Sequence, residues 1–168
     1  MKKAILVLSG DPTGKNKFNE IIKETCWVWS VNSKNHLGRI AKNELFFEGE
    51  RDEKYNKFIS DFFKLVNDNF NFEEKYIKEL LENKFLQDND EYKTDTEGKK
   101  FDRFLFIIHG LSSKELLQEL ESEYAAMQIH ISSRELNSNV ESHDKVLYHD
   151  DEDFRAQVEN LIEILVKQ

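Results

Sequence analysis

Hydrophobic and polar residues follow two alternating spacings along this chain. Continuous apolar runs at 4–8 (AILVL) and in the second half of 101–108 (FDRFLFII) are typical of parallel strands that helices cover on both faces. CWVWSV at 26–31 and MQIHI at 127–131 alternate, as strands do. Elsewhere apolar residues recur at three- and four-residue steps, which indicates amphipathic helices. The predicted strands are 4–8, 26–31, 101–108, 127–131 and 145–148. The predicted helices are 15–24, 33–42, one of about 52–66, one starting near 71, one of about 113–124, and 151–168.

This alternation of strand and helix predicts the fold class. Strand–helix–strand units wind right-handed into a parallel sheet with helices on both faces, and ligands in such sheets bind beside the carboxyl ends of the strands. The chain has 168 residues and 13 Phe, which suits one domain with a sizeable core. The polar stretch 87–100 (QDNDEYKTDTEGKK) has almost nothing to bury, so we expect a mobile surface loop there.

Two aromatic groups are interpreted as core. Trp27 and Trp29 share one face of the second strand, where packing is a better explanation than stacking on a nucleobase. The helix after Asp52 carries an apolar stripe that we expect to face the core, with a partner surface as the alternative. The residues of that stripe are Tyr55, Phe58, Ile59, Phe62, Phe63 and Val66.

Charge and composition narrow the classes of partner. The formal net charge is −9 and no basic block is present, so duplex nucleic acid is an unfavourable partner. No apolar run approaches the roughly 20 residues that span a bilayer, and we expect no membrane association and a cytosolic location. Cys26 is the single cysteine, without the spacing of a zinc site or a disulfide, and is interpreted as a small buried residue.

The stretch LSGDPTGKNKF, residues 8–18, joins the first strand to a helix. Such a turn can direct backbone N–H groups and the positive helix end at a phosphate. Compared with GxxxxGK[ST], three residues instead of four separate the glycines, and no serine or threonine follows the lysine. A turn that merely contains glycines is the alternative. The predicted phosphate-binding residues are Gly10, Asp11, Thr13, Gly14, Lys15, Asn16 and Lys17.

Four segments together resemble the deoxynucleoside monophosphate kinase-like proteins of phages and bacteria, in the adenylate kinase-like branch of P-loop phosphotransferases. They are LSGDPTGKNKF, ERDEKYNKFISDFFKLVNDNFNF, FLFIIHGLSSKEL and SSRELNSNVESHDKVLYHDDED. The resemblance implies a three-layer α/β/α fold with a five-stranded, mostly parallel sheet. It also implies transfer of the γ-phosphoryl group of ATP, with Mg²⁺, to a nucleoside monophosphate.

The same resemblance implies roles for individual residues. Lys15 and Arg134 would be catalytic, Arg134 within a reduced lid-like segment near 132–145 that also holds Asn137 and Glu141. On the substrate side we expect Arg39 and Arg51. His109, from its place at the end of the third strand, and Asp61, on the phenylalanine-rich helix, are further candidates, with a solvated loop histidine and an ordinary exposed carboxylate as the alternatives. One departure stands out: where the family has an arginine after the third strand, this chain has HGL at 109–111. Losing one such arginine costs orders of magnitude in rate.

Three functions remain open at this point. The first is an active nucleotide kinase. The second is a catalytically inactive kinase-fold protein that acts as a nucleotide- or protein-binding regulatory module, with a protein partner or a homodimer. A P-loop hydrolase or switch is less favoured, because the third strand ends in Ile108 and His109 rather than in an acidic residue. The acidic cluster at 149–153 is interpreted as a complement to a helix dipole.

Overall fold

Five parallel strands form the central sheet in the computed structural model, which describes residues 1–44, 52–134 and 145–165. The described residues form seven strands in all, five in this sheet and two in a separate hairpin. They are β1 (Lys2–Gly10), β2 (Trp27–Val31), β3 (Lys93–Thr94), β4 (Lys100–Phe101), β5 (Arg103–His109), β6 (Met127–Ser132) and β7 (Lys145–Tyr148). The sheet has the order β2-β5-β1-β6-β7, while β3 and β4 pair separately as an antiparallel hairpin.

Helices cover both faces of the sheet. They are α1 (Pro12–Lys23), α2 (Ser33–Glu44), α3 (Glu53–Phe70), α4 (Phe72–Leu81), α5 (Lys114–Tyr124) and α6 (Phe154–Leu165). A π-helical turn, Glu82–Leu86, continues α4. Side chains of α1 and α6 pack on one face, and those of α4, the π-helical turn and α5 pack on the other. The predicted α/β fold with a five-stranded parallel sheet is confirmed. None of the described helices is long and apolar enough to cross a membrane.

The continuous apolar runs form the two central strands. Leu6 of β1 and Ile107 of β5 are register partners, and both are 0% exposed. Leu6 packs towards α1 and α6, whereas its neighbours Ile5 and Val7 pack towards α4 and α5. Because both faces are covered, the central residues of these strands, 4–8 and 104–108, are apolar on both faces.

The tryptophans of β2 are less buried than the sequence pattern predicts. Trp27 is half-buried and packs edge-on against Phe101, and Trp29 is 36% exposed with the Lys84 ammonium 5.5 Å from its ring centroid. β2 is the edge strand of the sheet. The core interpretation is therefore wrong for Trp29, since one side of an edge strand faces solvent or surface side chains.

The apolar stripe of α3 is also only partly core. Ile59 and Phe63 are buried, but Phe58 is 36% exposed. Leu65 and Phe70, elsewhere on α3, are 62% and 65% exposed. The reason is the position of α3, which packs mainly against α2 and α4 and contributes no residue to the two core clusters that cover the sheet.

The polar stretch at 87–100 contains part of the β3–β4 hairpin. Its turn is held by Asp95, whose Oδ1 accepts hydrogen bonds from the amides of Glu97 (2.9 Å) and Lys99 (2.8 Å). Gly98 supplies the positive φ of +85° in this turn. Local Asx-type bonding therefore gives this segment structure without a hydrophobic core. Most of the lid-like segment near 132–145, including Asn137 and Glu141, lies outside the described residues, as does Arg51.

Candidate functional site

The carboxyl ends of the strands provide two places where a ligand could bind. One is the start of α1, directly after β1, and the other lies between the ends of β2 and β5. Sequence reasoning places the phosphate at the first.

The start of α1 already holds a carboxylate. β1 continues to Gly10, Asp11 is the N-cap, and Pro12 is the first helical residue. The Oδ1 of Asp11 accepts a hydrogen bond from the Gly14 amide at 2.8 Å. Because a helix N-terminus binds anions through these N–H groups, the Asp11 side chain lies where a phosphate oxygen would otherwise bind.

Neighbouring side chains fill the space around this cap. A Cβ on Gly14 would lie 2.5 Å from Ile131 Cγ2 and 2.7 Å from His149 Cδ2. His149 Nε2 lies 3.1 Å from Asp11 Oδ2. A Cβ on Gly10 would lie 1.8 Å from the Ile131 carbonyl oxygen. Both glycines therefore allow close packing against β6 and the residue after β7.

The other residues of the predicted phosphate loop lie on the first turns of α1. Thr13, Asn16 and Lys17 are exposed, and Lys17 donates a hydrogen bond from Nζ to the His149 carbonyl at 3.3 Å. Lys15 is half-buried on the first turn of α1. With Asp11 bound to the helix N-terminus, these residues do not fit the triphosphate of ATP with its Mg²⁺.

Arg134, the predicted lid residue, is held by two aspartates. Its Nε and Nη2 donate to the two carboxylate oxygens of Asp151 at 2.6 and 2.9 Å. Its backbone amide donates to Asp150, and its guanidinium lies 4.8 Å from the Tyr148 ring centroid. The aspartates of the 149–153 cluster thus bind an arginine, and α6 begins only at Phe154. The dipole interpretation of that cluster does not account for these contacts.

The second place is a cleft of about 460 Å³ between the ends of β2 and β5. We call it the Arg39 cleft. Its lining residues are Ser30, Val31, Asn32, Asn35, Arg39, Tyr76 and His109. Two of the predicted substrate-side residues, Arg39 and His109, therefore come together here. Asp61 has an exposed side chain on α3 and is not among the described residues that line the cleft.

The cleft combines positive charge with a neutral imidazole. Burial, together with the nearby Lys15 ammonium, lowers the pKa of His109 to about 4. His109 is therefore uncharged at neutral pH and offers one donor and one acceptor. Within the described part of the chain, Arg39 makes no ion pair with a carboxylate. Its Nη2 lies 3.3 Å from His36 Nδ1 instead.

Three nearly parallel rings support the Arg39 side of the cleft. His36 stacks on Tyr76 with ring centroids 4.3 Å apart, and Phe72 stacks on Tyr76 at 5.6 Å. Burial lowers the pKa of His36, and Arg39 lowers it further. Burial also raises the pKa of the Tyr76 hydroxyl, which stays protonated at neutral pH. The stack holds Tyr76 as a rigid aromatic wall of the cleft.

Sequence reasoning missed one residue behind this cleft. Glu73, in the first turn of α4, is 0% exposed and accepts hydrogen bonds from Ser33, Ser112 and Ser113. The sequence did hold a signal, because Glu73 precedes Ile77 by one helical turn. It therefore places a carboxylate on the apolar face of α4.

Comparison with known proteins adds little to this geometry. No protein-family model matches the sequence. No curated protein matches it either. Among solved structures, a de novo designed protein with a P-loop NTPase fold, determined by solution NMR, is similar at 15% sequence identity. The similarity covers 98% of this chain and 94% of the designed chain, with a TM-score of 0.42. The fold assignment therefore rests on the sheet of this chain itself.

Proposed function

We propose that the protein is a binding module for a small phosphorylated ligand of the nucleoside monophosphate class, held in the Arg39 cleft. The observation that carries the proposal is the convergence of Arg39, His109 and Tyr76 at the carboxyl edge of a parallel sheet. This is the edge at which ligands bind in such folds.

The phosphate group is assigned to Arg39. A guanidinium without a carboxylate partner can bind a phosphate through two parallel hydrogen bonds. His109 can donate a further hydrogen bond without adding charge, and the Lys15 ammonium acts on the same region. In a chain of net charge −9, this locally positive region favours an anion over a neutral ligand.

The nucleobase of the ligand is assigned to the side of the cleft that carries Tyr76 and the amide side chains. Tyr76 offers the edge of its ring and its hydroxyl, since His36 and Phe72 stack on the ring itself. Asn32 and Asn35 carry amide groups that can pair with the polar edge of a base or with sugar hydroxyls. A nucleotide uses both halves of the cleft, whereas free phosphate uses only one.

Phosphoryl transfer from ATP, which the kinase resemblance implies, is left out of this proposal. Transfer depends on positive charge placed around the moving phosphoryl group. Here Asp11 is bound to the N-terminus of α1, and Arg134 is bound to Asp151. The kinase-fold module without transfer is the better-supported of the functions considered.

Isothermal titration calorimetry with AMP, CMP and inorganic phosphate tests the proposal. We expect saturable binding of a monophosphate that is tighter than binding of phosphate alone. Arg39→Ala should weaken monophosphate binding by about 10- to 100-fold, because it removes charge-assisted hydrogen bonds worth about 1.5–3 kcal/mol. Arg155→Ala removes an exposed arginine that pairs with Glu24, and this control should bind as the wild type does.

The two candidate binding places give different outcomes. A ligand held at the start of α1 would lose binding in Lys15→Ala and keep it in Arg39→Ala, which would contradict the assignment to the cleft. Absence of binding heat for every monophosphate at millimolar concentration would refute the proposed function altogether.

A further inference from the structure

We infer that Glu73 is the positioning residue of the Arg39 cleft, joining the three chain segments that supply the lining residues. Only the expected effect of Glu73 on ligand binding rests on the proposed function. The geometry of Glu73 is independent of any ligand.

Glu73 binds both strand-end segments at once. Its Oε1 accepts a hydrogen bond from the Ser33 hydroxyl at 3.1 Å. Its Oε2 accepts from the backbone amides of Ser112 and Ser113, each at 3.0 Å, and from the Ser112 hydroxyl. We call these four residues the Glu73 clamp. The two carboxylate oxygens therefore hold the start of α2 and the loop after β5 to the first turn of α4.

Each clamped segment carries part of the cleft. Ser33 directly follows Asn32 and begins α2, on which Asn35 and Arg39 lie. Ser112 follows His109 by three residues along the loop. Tyr76 lies three residues after Glu73 on α4 itself. The mutual positions of the guanidinium, the imidazole and the phenol ring thus depend on one buried side chain.

A hydrogen bond to α3 also holds the Glu73 backbone in place. The Glu73 amide donates a hydrogen bond to Asn67 Oδ1 at 2.9 Å, which joins the start of α4 to α3. Asn71, between the two helices, has a positive φ of 50° and makes no side-chain cap. Because a buried carboxylate is tolerated only when its oxygens are hydrogen-bonded, the three serine partners and Glu73 require one another.

The chemistry of the carboxylate explains why glutamate and not glutamine occupies this position. A carboxylate only accepts hydrogen bonds, and here it receives four donors on two oxygens. A glutamine has one acceptor oxygen: with that oxygen towards Ser112 and Ser113, its Nε2 reaches Ser33 only if the hydroxyl turns to accept, and the charge that strengthens all four hydrogen bonds is lost. Glu73→Gln therefore keeps the size of the side chain and weakens the clamp.

The experiment compares Glu73→Gln with Glu74→Gln, a matched control at the next position. Glu74 is partly exposed and pairs with Lys78 on the surface of α4. The first readout is the NMR titration of the His109 ring, which needs no ligand. We expect the pKa of His109 to rise from about 4 towards the ordinary histidine value in Glu73→Gln, because the loop after β5 loosens and admits water. It should stay unchanged in Glu74→Gln.

The second readout is the dissociation constant for AMP, measured by calorimetry at a temperature where circular dichroism shows the variant folded. We expect at least a tenfold increase in Glu73→Gln and no change in Glu74→Gln. If Glu73→Gln does not fold, Ser33→Ala replaces it, because it removes one hydroxyl donor and leaves the carboxylate in place. Its expected increase is about threefold, with a smaller rise in the His109 pKa.

An unchanged His109 titration in a folded clamp variant overturns the inference, whatever the ligand data show. Failure of the wild type to bind any of the monophosphates refutes the proposed function but leaves the His109 titration to decide the role of Glu73. A variant that is less stable but keeps the wild-type His109 titration and AMP affinity would show that Glu73 only stabilises the fold.

Discussion

At the start of α1, a carboxylate takes the place that the sequence pattern gives to a phosphate. The side chain of Asp11 binds the Gly14 amide, and His149 lies against its other oxygen. In this structure the Gly14 amide, which the pattern assigns to a phosphate, is therefore bound by Asp11. One acidic side chain at an N-cap is enough to make this change, since the cap and a bound anion use the same N–H groups.

Gly14 provides a direct test of this packing. Replacing a helical glycine with alanine normally stabilises a protein by about 0.5–1 kcal/mol. In Gly14→Ala the new methyl would meet Ile131 and His149 at 2.5 and 2.7 Å, so we expect a net destabilisation of about 1–3 kcal/mol. Urea denaturation measures the free energy of unfolding.

Gly38→Ala is the matched control for that measurement. Gly38 also lies within a helix, but the nearest atom to its new methyl would be the Tyr55 hydroxyl oxygen at 3.0 Å, at the end of a movable side chain. This variant should be about neutral or slightly more stable. An equal gain in stability for both variants would contradict the close packing of α1 on β6.

His109 gives the protein a defined pH dependence. Its pKa is about 4 in the folded chain, against roughly 6.5 for an unperturbed histidine. As the pH falls, His109 therefore binds a proton in the unfolded chain before it does so in the folded chain. The contribution of His109 to the free energy of unfolding is complete above about pH 6.5 and decreases towards pH 4. In His109→Gln we expect a smaller loss of unfolding free energy over this range than in the wild type. Urea denaturation at several pH values measures it, and parallel curves for the two proteins would contradict the assignment.

At the level of elements, α3 shows that helical periodicity does not specify what a face packs against. Its apolar residues repeat correctly for an amphipathic helix, and the helix forms with Asp52 as N-cap, whose Oδ1 accepts from the Tyr55 amide at 2.8 Å. Yet the main contacts of α3 are with α2 and α4. Only a narrow part of its apolar surface is therefore buried.

Two phenylalanines of α3 test this difference. Phe63 is 5% exposed and Phe70 is 65% exposed. We expect Phe63→Ala to cost about 3–5 kcal/mol of unfolding free energy, because it leaves a cavity. Phe70→Ala should cost less than about 0.5 kcal/mol, as exposed substitutions usually do. Thermal and urea denaturation of the two variants measure both values, and similar losses would show that Phe70 is buried in solution by another surface.

On the scale of the whole molecule, the strands and helices of the sheet were largely predictable. β7 has the predicted bounds, and the continuous apolar runs correctly indicated the central strands β1 and β5. The edge position of β2 was not predictable, since strand order depends on how crossovers place the strands. The exposure of Trp29 follows from the order of the strands and not from the sequence around it.

The candidate site was predictable in part. Arg39 and His109 were expected on the substrate side, and they line one cleft, but Lys15 and Arg134 do not meet there in the described structure. Glu73 was missed because its role depends on the hydrogen-bond donors that surround its carboxylate. Those partners, Ser33, Ser112 and Ser113, are about 40 residues away in the chain.

The sequence by itself determined the period of each element and its caps, because hydrophobic spacing and N-cap chemistry act over a few residues. Asp52 and Ser113 are examples, each capping its helix through its own side chain. Only the tertiary structure decided that Asp11 meets His149 and that Glu73 joins three segments. Such contacts depend on packing between distant parts of the chain, which no local pattern encodes.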